Sequence, residues 1–470
     1  MNTSGYKHKN RYSSDQRPPI SISNLPVDPS NDSFLHSSTQ TIPKEESSLR
    51  LQVLALICLS AFGYSFTDTM MNKPLPDFVP RQELIYFIQD LVKAKGLALL
   101  FPLVAGLMIY FFQVNRTYQF LVGLSAVGIT LIAFGIENAN KTLFLAGETS
   151  FYATASGLWV VQTYMIIKWF KGKELSFALA TLYFADVLAG NPAASLYAYL
   201  KINGFASHLY VSIAFSFLAV FAVCFLNKLD TRARAEEAIG GQIQAGDDKS
   251  FRENFRSLKA STWVIIAAIF CFFIADYSPI GLSLSSMIIG DAPESSEILD
   301  SITTWNTYLS IILFPAFGYL ADMTRKRIPM MFVSFIVFSL ANLCFFLSYE
   351  LHNLFLLRAS FIPICVARIL FQVSAWACLG LSMPRKIFAI ILSFTFAVAS
   401  LIKWQKAYAL YFGDNPSIGL VCVLSAGVLV IGMVLVMYIW RVDRGRKNSQ
   451  KIDYAENKNE EKEGQDYLRI

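Results

Sequence analysis

From residue 51 onward, long apolar stretches alternate with short polar ones, and the apolar stretches repeat at a nearly constant length. A helix that crosses a bilayer needs about 20 mostly apolar residues. Twelve stretches meet that length, near 51–69, 93–113, 117–136, 143–167, 175–198, 208–227, 261–284, 302–321, 328–348, 357–383, 387–404 and 417–440. None shows the strict two-residue alternation of a half-buried strand, so the pattern predicts helices throughout. Lys93, Lys95 and Lys403 intrude at the edges of the second and eleventh stretches.

The polar segments fix organisation and orientation. Residues 1–49 are rich in Ser, Pro, Asn and charge and predict a disordered tail. The charged stretch 229–260 separates a first half, 50–228, from a second, 261–441, and 442–470 forms a polar tail. Basic residues gather after the second stretch (Arg116), the fourth (Lys168, Lys171, Lys173), the eighth (Arg325, Lys326, Arg327) and the tenth (Arg385, Lys386). The loop 290–301, GDAPESSEILDS, is acidic and has no basic residue. Basic loops stay on the cytoplasmic side, so both termini are expected there. In WFKGKEL, Trp169 to Leu175, Lys171 and Lys173 are expected to anchor two helix ends at the headgroups, with Gly172 allowing the reversal. Asp68 follows Arg50, and Asp276 follows Lys259, at nearly the same spacing. Weak repetition of this kind between two halves predicts a site between them near the bilayer midplane.

Composition agrees. The chain is 54% hydrophobic and only 16% charged, against roughly a quarter charged in soluble domains. The net charge of +6 resides in short loops and tails, which argues for a lipid bilayer and against a nucleic-acid partner. All seven cysteines lie in apolar runs without C-x-x-C spacing, so neither a disulfide framework nor a metal site is expected. No phosphate-binding glycine loop, G-x-S-x-G or H-E-x-x-H occurs, so neither an enzyme nor a cofactor is expected.

What remains are charges inside the bilayer, each costing several kcal/mol and functional by default. Arg368 falls mid-way along the tenth stretch and must pair with a carboxylate, face a wet cavity or bind an anionic solute. Asp186 is similarly central on the fifth, followed by Gly190, Asn191 and Pro192, which loosen a helical turn. Asp276 precedes Tyr277, Ser278 and Pro279, an expected helix break; it either holds an ion or amine or caps local amides. Asp68 and Glu148 lie near outer helix ends, where a solvated role is expected. Trp159, Gln162, Gln372 and Trp376 are candidates to line a cavity with Arg368; the alternative for such residues is helix packing.

The eighth stretch ends in GYLADMTRKR, Gly318 to Arg327. This resembles the loop signature of the major facilitator superfamily, with Gly318, Asp322, Lys326 and Arg327 at the matching positions, Met323 in place of a basic residue and Arg325 in place of a glycine. The resemblance implies twelve transmembrane helices in two six-helix pseudo-repeats, an all-α integral membrane fold. It also assigns those four residues to a cytoplasmic gate braced by Asp322 and, by setting helices five and ten beside the cavity, implies Asp186 as the partner of Arg368 when no solute is bound. The corresponding first-half position keeps Gly106 but has Tyr110 where the acid belongs.

WFKGKEL, with Gln162 upstream, SPIGL at Ser278–Leu282 and the Trp376–Pro384 spacing, is similar to the lysosomal dipeptide transporter branch of that superfamily. Where that branch has an acidic residue on helix four this chain has Ser156, and Val187 stands in place of its helix-five arginine. The expectation is a carrier that moves a small polar solute by alternating access: a short peptide, an amino acid or an organic anion. The alternative is a transporter-like sensor or scaffold without net flux; an accessory membrane protein is left open. The C-terminal YLRI, Tyr467 to Ile470, resembles a tyrosine-based endosomal sorting signal and points to an endosomal or lysosomal membrane, with the plasma membrane as the alternative.

Overall fold

The computed structural model describes residues 44–71, 96, 98–170, 174–203, 206–239, 255–256, 258–277, 294–351, 353–383, 385–412 and 418–445. Contacts divide the chain into Met1–Ser47, of which only the first turn of α1 is described, and Ser48–Ile470, which holds a helix bundle. Twelve α-helices appear among the described residues: α1 Lys44–Met71, α2 Phe101–Phe112, α3 Val114–Glu137, α4 Lys141–Phe170, α5 Leu175–Asn203, α6 Ala206–Ile239, α7 Ala260–Tyr277, α8 Glu294–Thr324, α9 Arg327–Glu350, α10 Leu354–Ser382, α11 Arg385–Phe412 and α12 Ile418–Arg444.

Local chemistry sets several helix starts. Asn353 caps α10 by accepting from the backbone of Phe355 and Leu356 at 2.9 and 3.2 Å. Asn140 does the same for α4, accepting from Thr142 and Leu143. Pro102 occupies the first turn of α2, where a missing N–H costs nothing. Pro192, Pro315 and Pro363 lie inside α5, α8 and α10, which continue through them; neighbouring helices re-satisfy the freed backbone in such bundles.

Two boundaries, those of α1 and α6, differ from expectation. α1 begins at Lys44, inside the expected tail. α2 begins at Phe101 behind a short 3-10 turn at Ala98–Leu100. α6 runs on to Ile239, into the expected linker, because its polar continuation is tied down by Asp230. α7 is described as far as Tyr277, and Ser278–Leu282, Lys171–Lys173, Pro384 and the YLRI terminus lie outside the described residues.

Helix packing repeats with an offset of six. α3 packs on α4 as α9 packs on α10; α3 on α6 as α9 on α12; α2 on α4 as α8 on α10. α7 packs on α12, and correspondingly Gly63 of α1 abuts the Phe215 carbonyl of α6, while Thr67 donates to the Ser212 carbonyl. The halves meet along two related seams, α5 with α8 and α2 with α11. An internal duplication of a six-helix unit accounts for both patterns.

Six helices are long and apolar enough to span a membrane by composition, and shorter apolar runs occupy α2, α7 and α11. α4, α5 and α8 fall short because they carry interior polar residues such as Glu148, Asp186 and Asn306. Burial separates centre from periphery: 78% of the best window of α10 is buried, against 33% for α12. Phe217, Phe221 and Phe225 form an exposed stripe along α6, spaced one turn apart. An apolar face of that kind suits lipid.

Candidate functional site

Arg368 projects from the most enclosed helix. Its Nε donates to Asp276 Oδ1 at 2.5 Å, joining α10 to the end of α7. The Asp276 side chain is 8% exposed and the Arg368 side chain 34% exposed, so the arginine is partly open while the carboxylate is enclosed. The partner supplied by the fold is therefore on α7, and the expected pairing with Asp186 gives way to it. The reason is geometric: α7 packs on α10, and its last turn brings Asp276 to the depth of Arg368. One turn away, Cys365 lies 3.2 Å from Ser310 Oγ of α8.

Asp186 is half-buried on α5 and accepts a hydrogen bond from Ser65 Oγ of α1. Nearby Tyr64 of α1 lies within electrostatic reach of Asp68, Tyr152, Asp186 and Glu148. Glu148 is only 5% exposed, so the expected solvated role fails for it, whereas Asp68 is half-buried. The first half thus gathers carboxylates from α1, α4 and α5 around one tyrosine, and the second half presents an arginine. Ser65 and Tyr64 were not legible as site residues, because isolated hydroxyls are common in membrane helices.

The other expected cavity residues separate into two groups. Trp159 is half-buried and stacks on Tyr183 of α5 at 5.2 Å, and Tyr183 stacks on Phe314 of α8 at 5.4 Å. Gln372 stands half-buried one turn beyond Arg368. Trp376, by contrast, is 1% exposed and stacks on Phe396 of α11 at 4.5 Å. α10 is enclosed around most of its circumference, so a large ring this far along it becomes core. Gln162 is also buried, facing Tyr118 of α3 and Ser60 of α1 within the first half. Neither Trp376 nor Gln162 lines an open surface in this conformation.

At the basic end of the bundle the halves touch closely. The Asp322 carboxylate, in the last turn of α8, accepts from the backbone N–H groups of Ser176 and Phe177 at 3.1 and 2.7 Å. It caps α5 from the opposite half, where the positive end of a helix favours an anion. Arg327, fully buried, donates Nη2 to Asp322 and Nε to Ser176 Oγ, both at 2.8 Å. Gly318 permits the approach: a Cβ there would sit 2.5 Å from that of Ala180. Lys326 is exposed. On the other seam a Cβ on Gly106 would meet Ser393 and lie 3.0 Å from the Ala389 carbonyl. Tyr110, in place of the acid, is 44% exposed. Both seams also carry stacked rings, Tyr183 with Phe314 and, between α4 and α11, Tyr164 with Phe388 at 5.9 Å.

The start of WFKGKEL has a partner not foreseen. Asp230, 1% exposed on the extension of α6, accepts from Lys168 Nζ at 2.6 Å and from the Trp169 indole at 3.1 Å through one oxygen. Its other oxygen accepts from Asn115 at 2.6 Å. Three helices of the first half are pinned by one carboxylate, which in sequence resembles any solvated charge of a linker.

This architecture is that of the major facilitator transporters. The chain superposes on the human organic anion transporter MFSD10 with a TM-score of 0.58 and 13% identity, covering 82% of this chain and 99% of that one. The proton:xylose symporter XylE gives 0.59 at 12% identity over 84% and 96%. A bacterial homologue of the iron transporter ferroportin, in an outward-facing state, gives 0.63 at 14% identity over 83% and 99%. No protein-family model and no curated protein matches the sequence.

Proposed function

We propose that this chain is a secondary carrier, not an enzyme, that moves a small carboxylate-bearing solute across a membrane by alternating access. The observation that carries the reading is the Arg368–Asp276 pair inside the bundle, with the Arg368 side chain a third exposed. A planar guanidinium can hold a second carboxylate at two points while remaining charged. A solute carboxylate arriving on the open side competes with Asp276, coupling solute binding to release of a bond between α7 and α10. Short peptides, amino acids and organic anions share that carboxylate, and a structural neighbour is an organic anion transporter. Asp322 and Arg327 hold the cytoplasmic seam shut, so this conformation fits a carrier open to the outside. The YLRI tail favours an endosomal or lysosomal membrane, and the likeness at WFKGKEL keeps short peptides on the candidate list.

The test is uptake by purified protein in proteoliposomes across a panel of dipeptides, amino acids and organic anions. Uptake of a carboxylated solute, lost in Arg368→Ala, supports the reading; uptake confined to solutes without a carboxylate rejects it. One observation favours a sensor without flux: Tyr110 leaves the α2–α11 seam without the carboxylate latch that α5–α8 has. A solute that raises the thermal midpoint yet is never carried would establish that alternative.

A further inference from the structure

The basic end of the second half holds a group of cations that neither the Arg368 pair nor the gate uses. α7 and α12 pack side by side, and Ser425 Oγ, near the start of α12, donates to the Ala275 carbonyl, near the end of α7, at 3.4 Å. Start against end, in two helices that pack along each other, makes the pair antiparallel. Lys259 precedes Ala275 by as many residues as Arg441 follows Ser425, so these two cations come to one level. Arg256 lies in the turn before α7, where the Leu258 N–H donates to the Phe255 carbonyl at 3.3 Å, and Arg444 stands one turn beyond Arg441. All four are exposed, and none has an ion-pair partner among the described residues. Asp443, the acid between the two arginines, is enclosed at 5% exposure. Rings frame the cations: Arg444 lies over Trp440 at 3.9 Å, and Phe255 and Trp263, 42% and 41% exposed, meet edge to face at 5.5 Å.

We propose that Arg256, Lys259, Arg441 and Arg444 form a binding site for an anionic phospholipid whose headgroup carries a phosphomonoester. Four like charges gathered at one end repel one another and draw in a counter-anion. Clusters of four or more basic residues beside a span attract anionic lipids. A lone phosphodiester neutralises one of these charges, whereas a phosphomonoester adds about 1.5–2 negative charges and oxygens that guanidinium forks can hold. Axes of packed helices lie about 8–10 Å apart, a gap that the long stems of Lys and Arg can close around one headgroup. The exposed rings favour a lipid over a free phosphate, because acyl chains would cover Phe255 and Trp263. A headgroup held there ties the start of α7, whose far end carries Asp276, to the end of α12.

Native mass spectrometry of the purified full chain, released from mixed micelles of defined lipid content, tests this without a known solute. A phosphatidylinositol monophosphate should bind about tenfold more tightly than phosphatidylinositol. Arg256→Gln with Lys259→Gln and, separately, Arg441→Gln with Arg444→Gln should each lower that affinity about tenfold. Lys228→Gln with Arg232→Gln removes as many exposed charges from α6, the counterpart of α12, and should leave the affinity within about twofold. Equal binding of the two lipids overturns the proposal, as does a loss in the α6 variant equal to that in the other two. Displacement of the lipid by an equal concentration of its water-soluble inositol phosphate headgroup would make the anion alone the ligand and overturn the lipid assignment. All six substituted side chains are exposed, so the packing of the bundle does not depend on them. A bundle that carries no solute at all would give the same result.

Discussion

Gln113 and Arg325 occupy matching places in the two halves: each follows its seam glycine, Gly106 or Gly318, at the same spacing, and each turns with positive φ, 75° and 52°. They link α2 to α3 and α8 to α9. The backbone thus repeats even where the side chains have diverged, and Arg325 stands where the family signature has a glycine.

A side chain in the left-handed region costs roughly 1–2 kcal/mol. Arg325→Gly should therefore raise the thermal midpoint of the detergent-solubilised protein, since glycine adopts that turn without strain. An unchanged or lower midpoint would mean that the Arg325 side chain stabilises the turn by as much as its backbone costs.

Asp322→Asn keeps an acceptor for the α5 backbone but removes the charge facing buried Arg327. Breaking a buried pair in this way costs about 3–5 kcal/mol, and the cost falls on the closed α5–α8 seam. A cysteine at Ala180, fully buried here, should become reactive from the cytoplasmic side in the Asp322→Asn background. Solute affinity should change less than about threefold, under 1 kcal/mol. A large loss of affinity with Ala180→Cys still protected would move Asp322 from the gate to the binding site.

Gly318→Ala should block full closure of the α5–α8 seam, because the new methyl would sit 2.5 Å from Ala180 Cβ. Gly123→Ala is the control, with nothing within 4 Å of its Cβ. Transport reduced equally in both variants would count against a steric role for Gly318.

Arg368→Lys retains charge but loses the planar fork, so solute affinity should drop, and Arg368→Ala should abolish binding. Because the partner is Asp276, the informative double variant is Asp276→Asn with Arg368→Gln, which removes both charges at once. If the pair serves only to hold α7 against α10, this double variant recovers transport. A stable, well-expressed double variant that remains inactive supports the solute role.

The twelve helices and the two halves were legible because lipid imposes a length, a hydropathy and a charge asymmetry on every span. Arg368, Asp276 and Asp322 were legible because a charge or a motif marks them. The partners were not. Sequence could weigh Asp186 against Asp276 only by helix number, while the choice depends on which turn of α7 reaches the depth of Arg368. Asp230 hid in a segment that read as linker, since a helix extended past the membrane has no apolar signature. Trp376 and Gln162 went to the interior because amphipathic side chains in an enclosed helix can face a neighbour as readily as a cavity.

The two ring pairs that cross between halves, Tyr183 with Phe314 and Tyr164 with Phe388, set an energy scale for motion. Rocking one half away from the other at this end must part both stacks in the same event. Each such pair is worth about 0.5–1.5 kcal/mol beyond its buried area, so together they bias the closed arrangement by about 1–3 kcal/mol, or roughly 5- to 150-fold in population. That bias keeps the resting molecule shut, yet it is shallow enough for a solute bound at only millimolar affinity, about 4 kcal/mol, to overturn it if binding favours the parted state. The rings would then act as a threshold that occupancy of the site must exceed.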